Sequence, residues 1–371
     1  MDDEARAFGP GPARLQGPHR RSPWDWRRPE VRAHDGLRRH DGRSRTYAAL
    51  DLGTNNCRLL VARPTHDSFR VVDAFSRIIR LGEGVSASGV LSEAAIVRAL
   101  DALGVCRDKM MNRTVTRARL IATEACRAAA NGPAFLARVR EQVGIELEIV
   151  DRETEALLAA TGCTPLMDPQ VNSVLLFDIG GGSSELVRLG RSAPAEGGPP
   201  VPTIEAWASL PVGVVTLAER HGGIAVDRAL FETMIAEVAV FVERFAARHG
   251  GPQAPMHMLG TSGTVTTICG VHLRLPRYDR RQVDGCWMHE AEVTAVVEQL
   301  LAMSYEDRVA NACIGRERAD LVLAGCAILE AIRRAFPCAR LRIADRGLRE
   351  GILVQLMRED GVWTGAPRPA P

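Results

Sequence analysis

A glycine-rich turn with acidic and hydroxyl residues at its edges is the segment of this sequence best suited to chemistry. Residues 178–185 read DIGGGSSE and lie between two apolar runs, which predicts a strand, a tight turn and a second strand. Successive glycines can adopt positive φ and direct several backbone N–H groups at one point, and such a nest binds phosphate oxygens. Gly180–Gly182 would supply the N–H groups and Ser183 a hydroxyl group. The turn therefore predicts a phosphate site, although a tight hairpin without a ligand has the same pattern.

The same pattern occurs a second time, about 127 residues earlier in the chain. The segment LDLGTNNCRLLV at 50–61 matches FDIGGGSSELVR at 177–188 in the order strand, aspartate, glycine turn and strand. Asp51 thereby takes the place of Asp178. A repeat on this scale predicts two similar α/β halves, and two facing turns are harder to explain as plain hairpins than one. A third glycine turn, LGTSGTV at 259–265, follows another apolar run.

Two carboxylates at the edge of the second turn indicate a metal ion. Asp178 and Glu185 would repel a phosphate, and a divalent cation removes that conflict because Mg²⁺ is commonly held by one or two carboxylates together with substrate phosphates. We therefore expect Mg²⁺, or another divalent cation, at Asp178 and Glu185. No lysine follows the glycines in the spacing of a P-loop, and residues 180–185 lack the final glycine of a dinucleotide-binding fingerprint. Neither a P-loop NTPase nor a Rossmann dinucleotide site is expected.

The elements that must position these turns follow from the apolar periodicity of the chain. Predicted strands of the first half lie at 47–52, 56–63, 70–80, 119–122 and 145–150. Predicted helices of the same half lie at 92–110, 131–143 and 152–162, and those of the second half at 227–249, 289–303, 318–336 and 346–358. The stretch from Arg191 to Thr203 is rich in proline and glycine, which predicts a surface loop between strands.

The composition is that of an ordinary globular protein and excludes several classes of function. The chain has 371 residues, of which 46% are hydrophobic and 25% charged, with a net charge of +2, so no charge excess points to DNA or a membrane. It has no run of about eighteen apolar residues that would predict a transmembrane helix, and its N-terminus lacks the apolar segment of a secretory signal. The nine cysteines form no CxxC pair and are interpreted as small buried hydrophobic residues. A cytoplasmic location is expected.

The first 45 residues differ from the rest of the chain. They contain eleven arginines and seven acidic residues but few aliphatic side chains, so they cannot bury enough apolar surface to order themselves. A disordered leader is the prediction for residues 1–45, with a weak anion-binding arm as the alternative. Residues 361–371 are predicted to form a flexible tail.

Seven segments of the sequence carry a resemblance to a known family. In chain order they are YAALDLGTNNCRLLV, IATEACRAAANG, IVDRETEALLAATG, VLLFDIGGGSSELV, SLPVGVVTL, LGTSGTVTTI and ADRGLREGIL. Together they resemble the Ppx/GppA phosphatases, the exopolyphosphatases and guanosine pentaphosphate phosphohydrolases, over residues 46–357. The resemblance implies an α/β fold with two related domains of the actin, sugar-kinase and heat-shock ATPase superfold and an active-site cleft between them. The implied domains are 46–152 and 153–346, with a C-terminal helix at about 347–360 packing back on the first.

The resemblance also implies roles for individual residues. Glu155 matches the catalytic glutamate that would activate the attacking water, and Arg127 matches an arginine that would hold phosphate. With the third turn included, the predicted phosphate-binding residues are Asp51, Gly53, Thr54, Asn55, Asp178, Gly180, Gly181, Gly182, Ser183, Gly260, Ser262 and Gly263. Without the resemblance, Glu155 would be interpreted as a solvated acid in a first helical turn and Arg127 as a surface arginine. The segment DRETEA at 151–156 departs from the family pattern, because a Ser-Gly pair and one of two glutamates are missing.

The function implied by the resemblance is Mg²⁺-dependent hydrolysis of a terminal phosphoanhydride bond. Orthophosphate would be released from inorganic polyphosphate, from the 5′ end of guanosine pentaphosphate, or from both, by a water that Glu155 activates. A non-catalytic sensor of these molecules and a small-molecule kinase of the same superfold are the alternatives. The chain resembles the short members of the family, and a homodimer is considered as its assembly. For Arg346 and Arg349 in the late segment DRGLRE, we expect a solvated helix start rather than contact with the phosphate chain.

Overall fold

The computed structural model describes residues 45–192, 201–252 and 255–362. All but one residue of the predicted leader, and all but two of the predicted tail, lie outside these ranges. The described chain forms two mixed β-sheets with helices packed on them. None of the described helices is long and apolar enough to cross a membrane. The nine cysteines are free, and seven of them are buried, as predicted.

Five strands form the first sheet. They are β1 (Tyr47–Leu52), β2 (Asn56–Pro64), β3 (Phe69–Ile78), β4 (Arg117–Ala122) and β5 (Glu148–Ile149). Their order in the sheet is β3-β2-β1-β4-β5, in which β1, β2 and β3 form an antiparallel meander and β4 is parallel to β1 and β5. The helices of this part of the chain are α1 (Val85–Ser88), α2 (Glu93–Asn112), α3 (Glu124–Ala128), α4 (Gly132–Gln142) and α5 (Arg152–Cys163).

Six strands form the second sheet. They are β6 (Ser173–Ile179), β7 (Ser184–Ser192), β8 (Val201–Leu210), β9 (Met256–Thr261), β10 (Trp287–His289) and β11 (Arg340–Ala344). Their order is β10-β11-β9-β6-β7-β8, with β9 parallel to β6 and β11. The remaining helices are α6 (Val214–His221), α7 (Arg228–His249), α8 (Ser262–His272), α9 (Arg280–Val283), α10 (Glu290–Ala302), α11 (Tyr305–Ala310), α12 (Val322–Ala335) and α13 (Leu348–Glu359).

The two sheets repeat one arrangement. In each, a three-stranded antiparallel meander is followed by two strands that add in parallel, and the second sheet has β10 as an extra edge strand. Within the two first hairpins, Asp51 lies opposite Arg58 and Asp178 lies opposite Glu185. The predicted α/β fold with two related halves, the architecture implied for the actin and sugar-kinase superfold, is confirmed. The exact domain limits at 152 and 346 stay a prediction.

The first strand of each half explains why the two turns stand out in the sequence. β1 (YAALDL) and β6 (SVLLFDI) are buried along almost their whole length. Strands covered on both faces have continuous apolar sequences rather than alternating ones. In each strand the aspartate, Asp51 or Asp178, is only half-buried, because it lies near the C-terminal end of the strand. A single acid at the end of an apolar run therefore marks the site.

Several predicted boundaries are wrong. Of the strand expected at 145–150, only Glu148–Ile149 forms a strand. The loop expected at 191–203 is shorter, because β7 continues to Ser192 and β8 begins at Val201, and the residues between lie outside the described chain. Proline is tolerated at the start of β8 because that strand is at the edge of its sheet. The helix expected at 318–336 begins only at Val322. The third glycine segment is not a hairpin, since β9 passes directly into α8.

The last helix connects the two halves. α13 packs on the first sheet and against α5 in one apolar cluster. The two helices are antiparallel and very close. Gly162 of α5 lies beside Gly347, the residue just before α13, and Leu158 of α5 lies beside Gly351 of α13. A side chain on Gly162 or on Gly351 would overlap the backbone opposite it. This packing sets the position of the first turn of α5, which carries Glu155.

Candidate active site

A cleft of about 820 Å³ opens between the two halves, and both glycine turns line it. The predicted site residues in its lining are Asp51, Gly53, Thr54, Asn55, Glu155, Asp178, Gly180, Gly181, Gly182, Ser183, Glu185, Ser262 and Gly263. Two predicted residues, Gly260 and Arg127, are not among the lining residues. The fold therefore brings four separate parts of the sequence to one cavity.

Both turns are closed by the same backbone hydrogen bond. The N–H of Gly53 donates to the carbonyl of Asn56 (2.9 Å), and the N–H of Gly180 donates to the carbonyl of Ser183 (3.0 Å). These four residues occupy equivalent positions in the sequence repeat. The repeat is therefore one of local geometry as well as of sequence.

The two turns lie against each other across the cleft. A Cβ on Gly181 would be 2.9 Å from the Cβ of Thr54, and a Cβ on Gly182 would be 2.8 Å from the Thr54 Oγ1. None of the three glycines of this turn has a positive φ, so the expectation of a left-handed backbone is wrong. Glycine is required here because the opposite turn approaches so closely.

The second turn has free N–H groups because α6 binds its carbonyl groups. The N–H of Val214 donates to the carbonyl of Gly180 (2.9 Å), and the N–H of Val215 donates to that of Gly181 (2.8 Å). In a trans peptide the following N–H points the opposite way, so the N–H groups of Gly181 and Gly182 point away from α6. Neither of them has an acceptor within the described residues. Both are therefore available to an anion.

Four of the carboxylates that line the cleft, Asp51, Glu155, Asp178 and Glu185, have a raised pKa, and burial is the main cause. Burial and the charge of Asp51 raise the pKa of Asp178 to about 6. Burial and the charge of Asp178 raise the pKa of Glu185 to about 7. Burial also raises the pKa of Asp51, and burial with the charge of Glu185 raises the pKa of Glu155 well above its ordinary value. Carboxylates crowded in this way favour a bound proton or a bound cation.

Glu155 lies in the first turn of α5 and faces the cleft. Asp151 caps this helix by accepting a hydrogen bond from the N–H of Thr154 (2.7 Å). The Glu155 side chain is only 14% exposed, so it is not a solvated first-turn acid. Arg127 donates from Nη2 to Glu155 Oε2 (3.1 Å) and from Nη1 to the carbonyl of Val150 (2.6 Å). These bonds fix the direction of the Glu155 carboxylate.

Arg127 lies behind the cleft rather than on its surface. Its guanidinium group also bonds to Glu124, which in turn accepts a hydrogen bond from Arg152 (3.0 Å). Burial raises the pKa of Glu124, but the hydrogen bond from Arg152 and the charge of Arg127 lower it overall. In this structure Arg127 therefore positions Glu155, and its direct contact with phosphate stays a prediction.

The third glycine segment contributes a junction between strand and helix. Gly260 lies inside β9, where a Cβ would be 2.7 Å from the ring of Phe177. This placement does not support a direct phosphate contact by Gly260. Ser262 has a φ of 79° at the start of α8, and its side chain partly offsets the rise in the pKa of the nearby Asp178 carboxyl. Ser262 and Gly263 line the cleft and stay candidate ligands.

Comparison with known proteins identifies the family. A model of the Ppx/GppA phosphatase family matches residues 60–360 of this chain. The chain belongs to the Ppx/GppA phosphatase family. The resemblance inferred from the seven sequence segments is thereby confirmed.

Two sequence relatives and one solved structure show how similar the chain is to known proteins. Exopolyphosphatase 2 of Mycobacterium tuberculosis is 27% identical over 328 residues, which cover 83% of this chain and 98% of that protein. The guanosine-5′-triphosphate,3′-diphosphate pyrophosphatase of Aeromonas hydrophila is 27% identical over 312 residues, which cover 84% of this chain and 59% of that protein. The crystal structure of the Aquifex aeolicus family member has a TM-score of 0.69 and 25% identity, covering 85% of this chain and 98% of that one.

The cleft of this Ppx/GppA family member also contains arginines that were not predicted from the sequence to lie there. Arg58 and Arg318 line the cleft, and Arg318 donates to the Thr267 hydroxyl (3.3 Å). The sequence repeat contained a signal for Arg58, because the aligned segments place it at the position of Glu185. For Arg318 no such signal was available.

The charged segment at the start of α13 is part of the cleft wall. Arg346 forms an ion pair with Asp284, and Arg349 is half-buried. Both residues line the cleft. The expectation of an ordinary solvated helix start is therefore wrong, because α13 packs back against the first half and carries these side chains inward.

Two polar contacts join the halves of this family member beside the cleft. Arg80 forms a bidentate ion pair with Asp320, with both N–O distances at 2.9 Å. Glu219 accepts hydrogen bonds from the N–H of Gly84 (2.8 Å) and from the hydroxyl of Ser86 (2.9 Å). The arrangement described here is thus one in which the two halves are in direct contact.

Replacing Glu185 with glutamine is expected to stabilise the cation-free protein at pH 8 but not at pH 4.5. Folding raises the pKa of this carboxyl from 4.5 to about 7, so the folded state holds the proton more tightly than the unfolded state. The contribution of this group to the free energy of unfolding is therefore lost as the pH rises between those values. The glutamine oxygen can still accept from the hydroxyls of Ser183 and Ser209. We expect a gain of up to about 3 kcal/mol at pH 8.

Urea unfolding at both pH values, in buffer with EDTA, measures this gain. The matched control is Glu153→Gln, which removes the same charge from an exposed position and is expected to change little at either pH. A Glu185→Gln variant no more stable than wild type at pH 8 would contradict the raised pKa.

Proposed function

We propose that this chain hydrolyses terminal phosphoanhydride bonds and releases orthophosphate. Inorganic polyphosphate, the 5′ end of guanosine pentaphosphate, or both are the substrates, in line with the names of its relatives. The observation that carries the proposal is that Glu155 and the two facing glycine turns line one cleft. A water-activating group and a phosphate cradle are the parts that phosphoryl transfer to water requires.

Each group has a distinct part in the proposed reaction. The free N–H groups of Gly181 and Gly182 bind oxygens of the terminal phosphate, as backbone nests do. Glu155 accepts a hydrogen bond from the attacking water and takes its proton. Arg127 holds the Glu155 carboxylate in position and favours its ionised form, against the raised pKa that burial causes.

A divalent cation fits the donor atoms of this cleft. The described residues contain no group of three or more His, Cys, Asp or Glu side chains placed to hold a metal by themselves. Asp178 and Glu185 provide two carboxylates with raised pKa, and the side-chain oxygens of Asn55 and Asn56 are buried there without a hydrogen-bond partner among the described residues. Mg²⁺ is commonly held by one or two carboxylates with substrate phosphates. When bound, it would neutralise charge on the phosphates.

Orthophosphate release in the presence of Mg²⁺ tests the proposal. Long-chain polyphosphate and guanosine pentaphosphate are supplied separately, with and without EDTA. We expect release from at least one substrate, loss of release with EDTA and recovery when Mg²⁺ is added back. The substrate from which orthophosphate is released faster is the preferred one.

Two outcomes would replace the proposal with one of its alternatives. Tight binding of either substrate without release would indicate a sensor. Phosphate transfer to an added small-molecule acceptor, with no release to water, would indicate a kinase. A cytoplasmic location and a homodimeric assembly stay predictions.

A further inference from the structure

Each phosphate turn is held by a neighbouring segment that binds its carbonyl groups. In the second half this segment is the start of α6, which bonds to the turn as described above. In the first half it is residues 80–82, where the N–H of Arg80 donates to the carbonyl of Asn55 (3.0 Å) and the N–H of Gly82 donates to the carbonyl of Thr54 (2.9 Å). A Cβ on Gly82 would also overlap the Thr54 side chain. The position of each turn therefore depends on the position of the segment behind it.

A bidentate ion pair connects the segment behind the first turn with the second half. Arg80 donates from its two terminal nitrogens to the two carboxylate oxygens of Asp320, each at 2.9 Å, and also to the carbonyl of Glu317 (3.1 Å). Asp320 lies against the loop that follows α6, because a Cβ on Gly223 would overlap the Asp320 carbonyl oxygen. The side chain of Arg80 therefore bonds to the second half, while its backbone bonds to the first phosphate turn.

A second contact connects the same two regions. Glu219 lies on α6 and accepts hydrogen bonds from the N–H of Gly84 (2.8 Å) and from the hydroxyl of Ser86 (2.9 Å). Gly84 has a φ of 75°, a conformation that favours glycine, and it leads from the segment behind the first turn into α1. Both contacts thus join the segment behind one phosphate turn to the helix behind the other, or to the loop that follows that helix.

The two contacts affect the spacing of the halves more than the stability of either half. Each half has a large apolar cluster of its own. The side chains of Arg80 and Asp320 are 32% and 23% exposed, and a partly exposed ion pair contributes only modestly to the free energy of unfolding. The turns that would hold one phosphate belong to different halves, however, so contacts between the halves set the distance from one turn to the other.

We propose that Arg80, Asp320 and Glu219 are positioning residues, which hold the two phosphate turns at the spacing that binds a phosphate between them. The inference rests on the proposed hydrolase function. None of the three is among the residues that line the described cleft, so they act through the turns and not on the substrate. When the contacts break, the halves are free to part, and only the fraction of molecules in the closed arrangement binds with full affinity. The apparent dissociation constant rises as that fraction falls.

Tripolyphosphate binding tests this role apart from turnover. In a Glu155→Gln background, calorimetry compares Arg80→Gln, Asp320→Asn and the variant with both changes. Each single change is expected to weaken binding by about three- to tenfold, and the double change by no more, because all three variants lose the same ion pair. The matched control is Arg334→Gln, which breaks a bidentate ion pair with Glu232 (2.7 and 2.9 Å) inside the second half and is expected to change binding by less than about twofold.

The second contact is tested by its own variant. Glu219→Ala removes both hydrogen bonds to the first half and leaves the Arg80 ion pair in place. It is expected to weaken tripolyphosphate binding by a similar factor. Combined with Arg80→Gln it is expected to weaken binding further than either change alone, because the protein then loses both contacts.

Kinetics with polyphosphate separate positioning from a loss of folded protein. Saturating substrate draws the halves together, so Arg80→Gln is expected to raise the apparent KM by about three- to tenfold and to change kcat by less than about twofold. A lowered kcat at unchanged KM would mean that less of the protein is folded, and it would contradict the positioning role.

Hydrogen exchange at Gly84 provides a measurement that needs no ligand. Its N–H donates to Glu219 and exchanges with solvent when the two halves part at this point. In Arg80→Gln this N–H is expected to exchange about three- to tenfold faster than in wild type or in Arg334→Gln. Unchanged exchange in Arg80→Gln, or tripolyphosphate binding as tight as without that change, would overturn the assignment. If wild-type protein binds tripolyphosphate but releases no phosphate, the proposed function fails instead, and binding and exchange still decide the positioning role.

Discussion

Phosphate release by the Glu155→Gln variant is expected to be slower than wild type by about 10²–10⁴-fold, the usual contribution of a general base. Glutamine keeps the size of the side chain and can accept the hydrogen bond from Arg127, but it cannot take a proton from water. Burial already disfavours the charge of Glu155, so the neutral residue should leave the fold intact. Orthophosphate release at saturating Mg²⁺ and substrate measures the loss, and the thermal unfolding temperature verifies folding.

The neighbouring acid provides the matched control for this variant. Glu153 lies in the same helical turn, is exposed and is not among the lining residues of the cleft. Glu153→Gln removes one negative charge from the same helix end and is expected to change the rate by less than about twofold. If both variants lose the same fraction of the rate, the effect comes from the negative charge at the helix end and not from proton transfer to Glu155. An unchanged rate in Glu155→Gln would show that another group activates the water.

Replacing Gly351 with alanine is expected to lower both stability and activity. A methyl group at this position would overlap the carbonyl oxygen of Leu158 in α5, which is backbone and cannot rotate away. Overpacking of this kind costs about 1–3 kcal/mol of unfolding free energy. Because α5 carries Glu155, separating the helices also moves the base relative to the turns, and a displacement of about 1 Å can cost roughly 10²-fold in rate. Thermal unfolding and phosphate release measure the two effects.

An alanine in a helix where the space is open separates these effects from the change of residue type. Gly104 lies in the middle of α2, and a Cβ there would meet nothing within 4 Å. Gly104→Ala is expected to stabilise the protein by about 0.5–1 kcal/mol, since glycine is the poorer helix former, and to leave activity unchanged. A Gly351→Ala variant as stable and active as Gly104→Ala would show that the helix pair tolerates a wider spacing.

The two phosphate turns could be predicted because each is complete within a short segment. Asp178 through Glu185 contain an apolar strand end, the glycines and both carboxylates, and the recurrence at Asp51 made a chance pattern improbable. The same local information was insufficient at Gly260. Its segment has the composition of a turn, but β9 continues through it into α8, because the apolar run before it is a central strand of the sheet.

The roles of the arginines, by contrast, could not be predicted from local sequence. In the sequence, Arg127 lies in a family motif and Arg349 in what reads as a solvated helix start, so the first was expected to bind phosphate and the second was not. In the structure, Arg127 donates hydrogen bonds to Glu124 and Glu155, whereas the Arg349 side chain has no hydrogen-bond partner among the described residues. Which arginine is free depends in part on acids outside its own segment, such as Glu155 for Arg127, and no local pattern reports that pairing.

The amino-acid sequence was sufficient for the family, the repeated halves and the two glycine turns. These are properties of residue types at short spacing, which one segment expresses alone. Only the tertiary structure decided which glycines face another turn, how far burial raises the pKa of the four carboxylates, and which arginines lack a counterion. Those properties depend on distances between segments more than 100 residues apart, such as Asp51 and Asp178, and these distances exist only once α5 and α13 have packed the halves together.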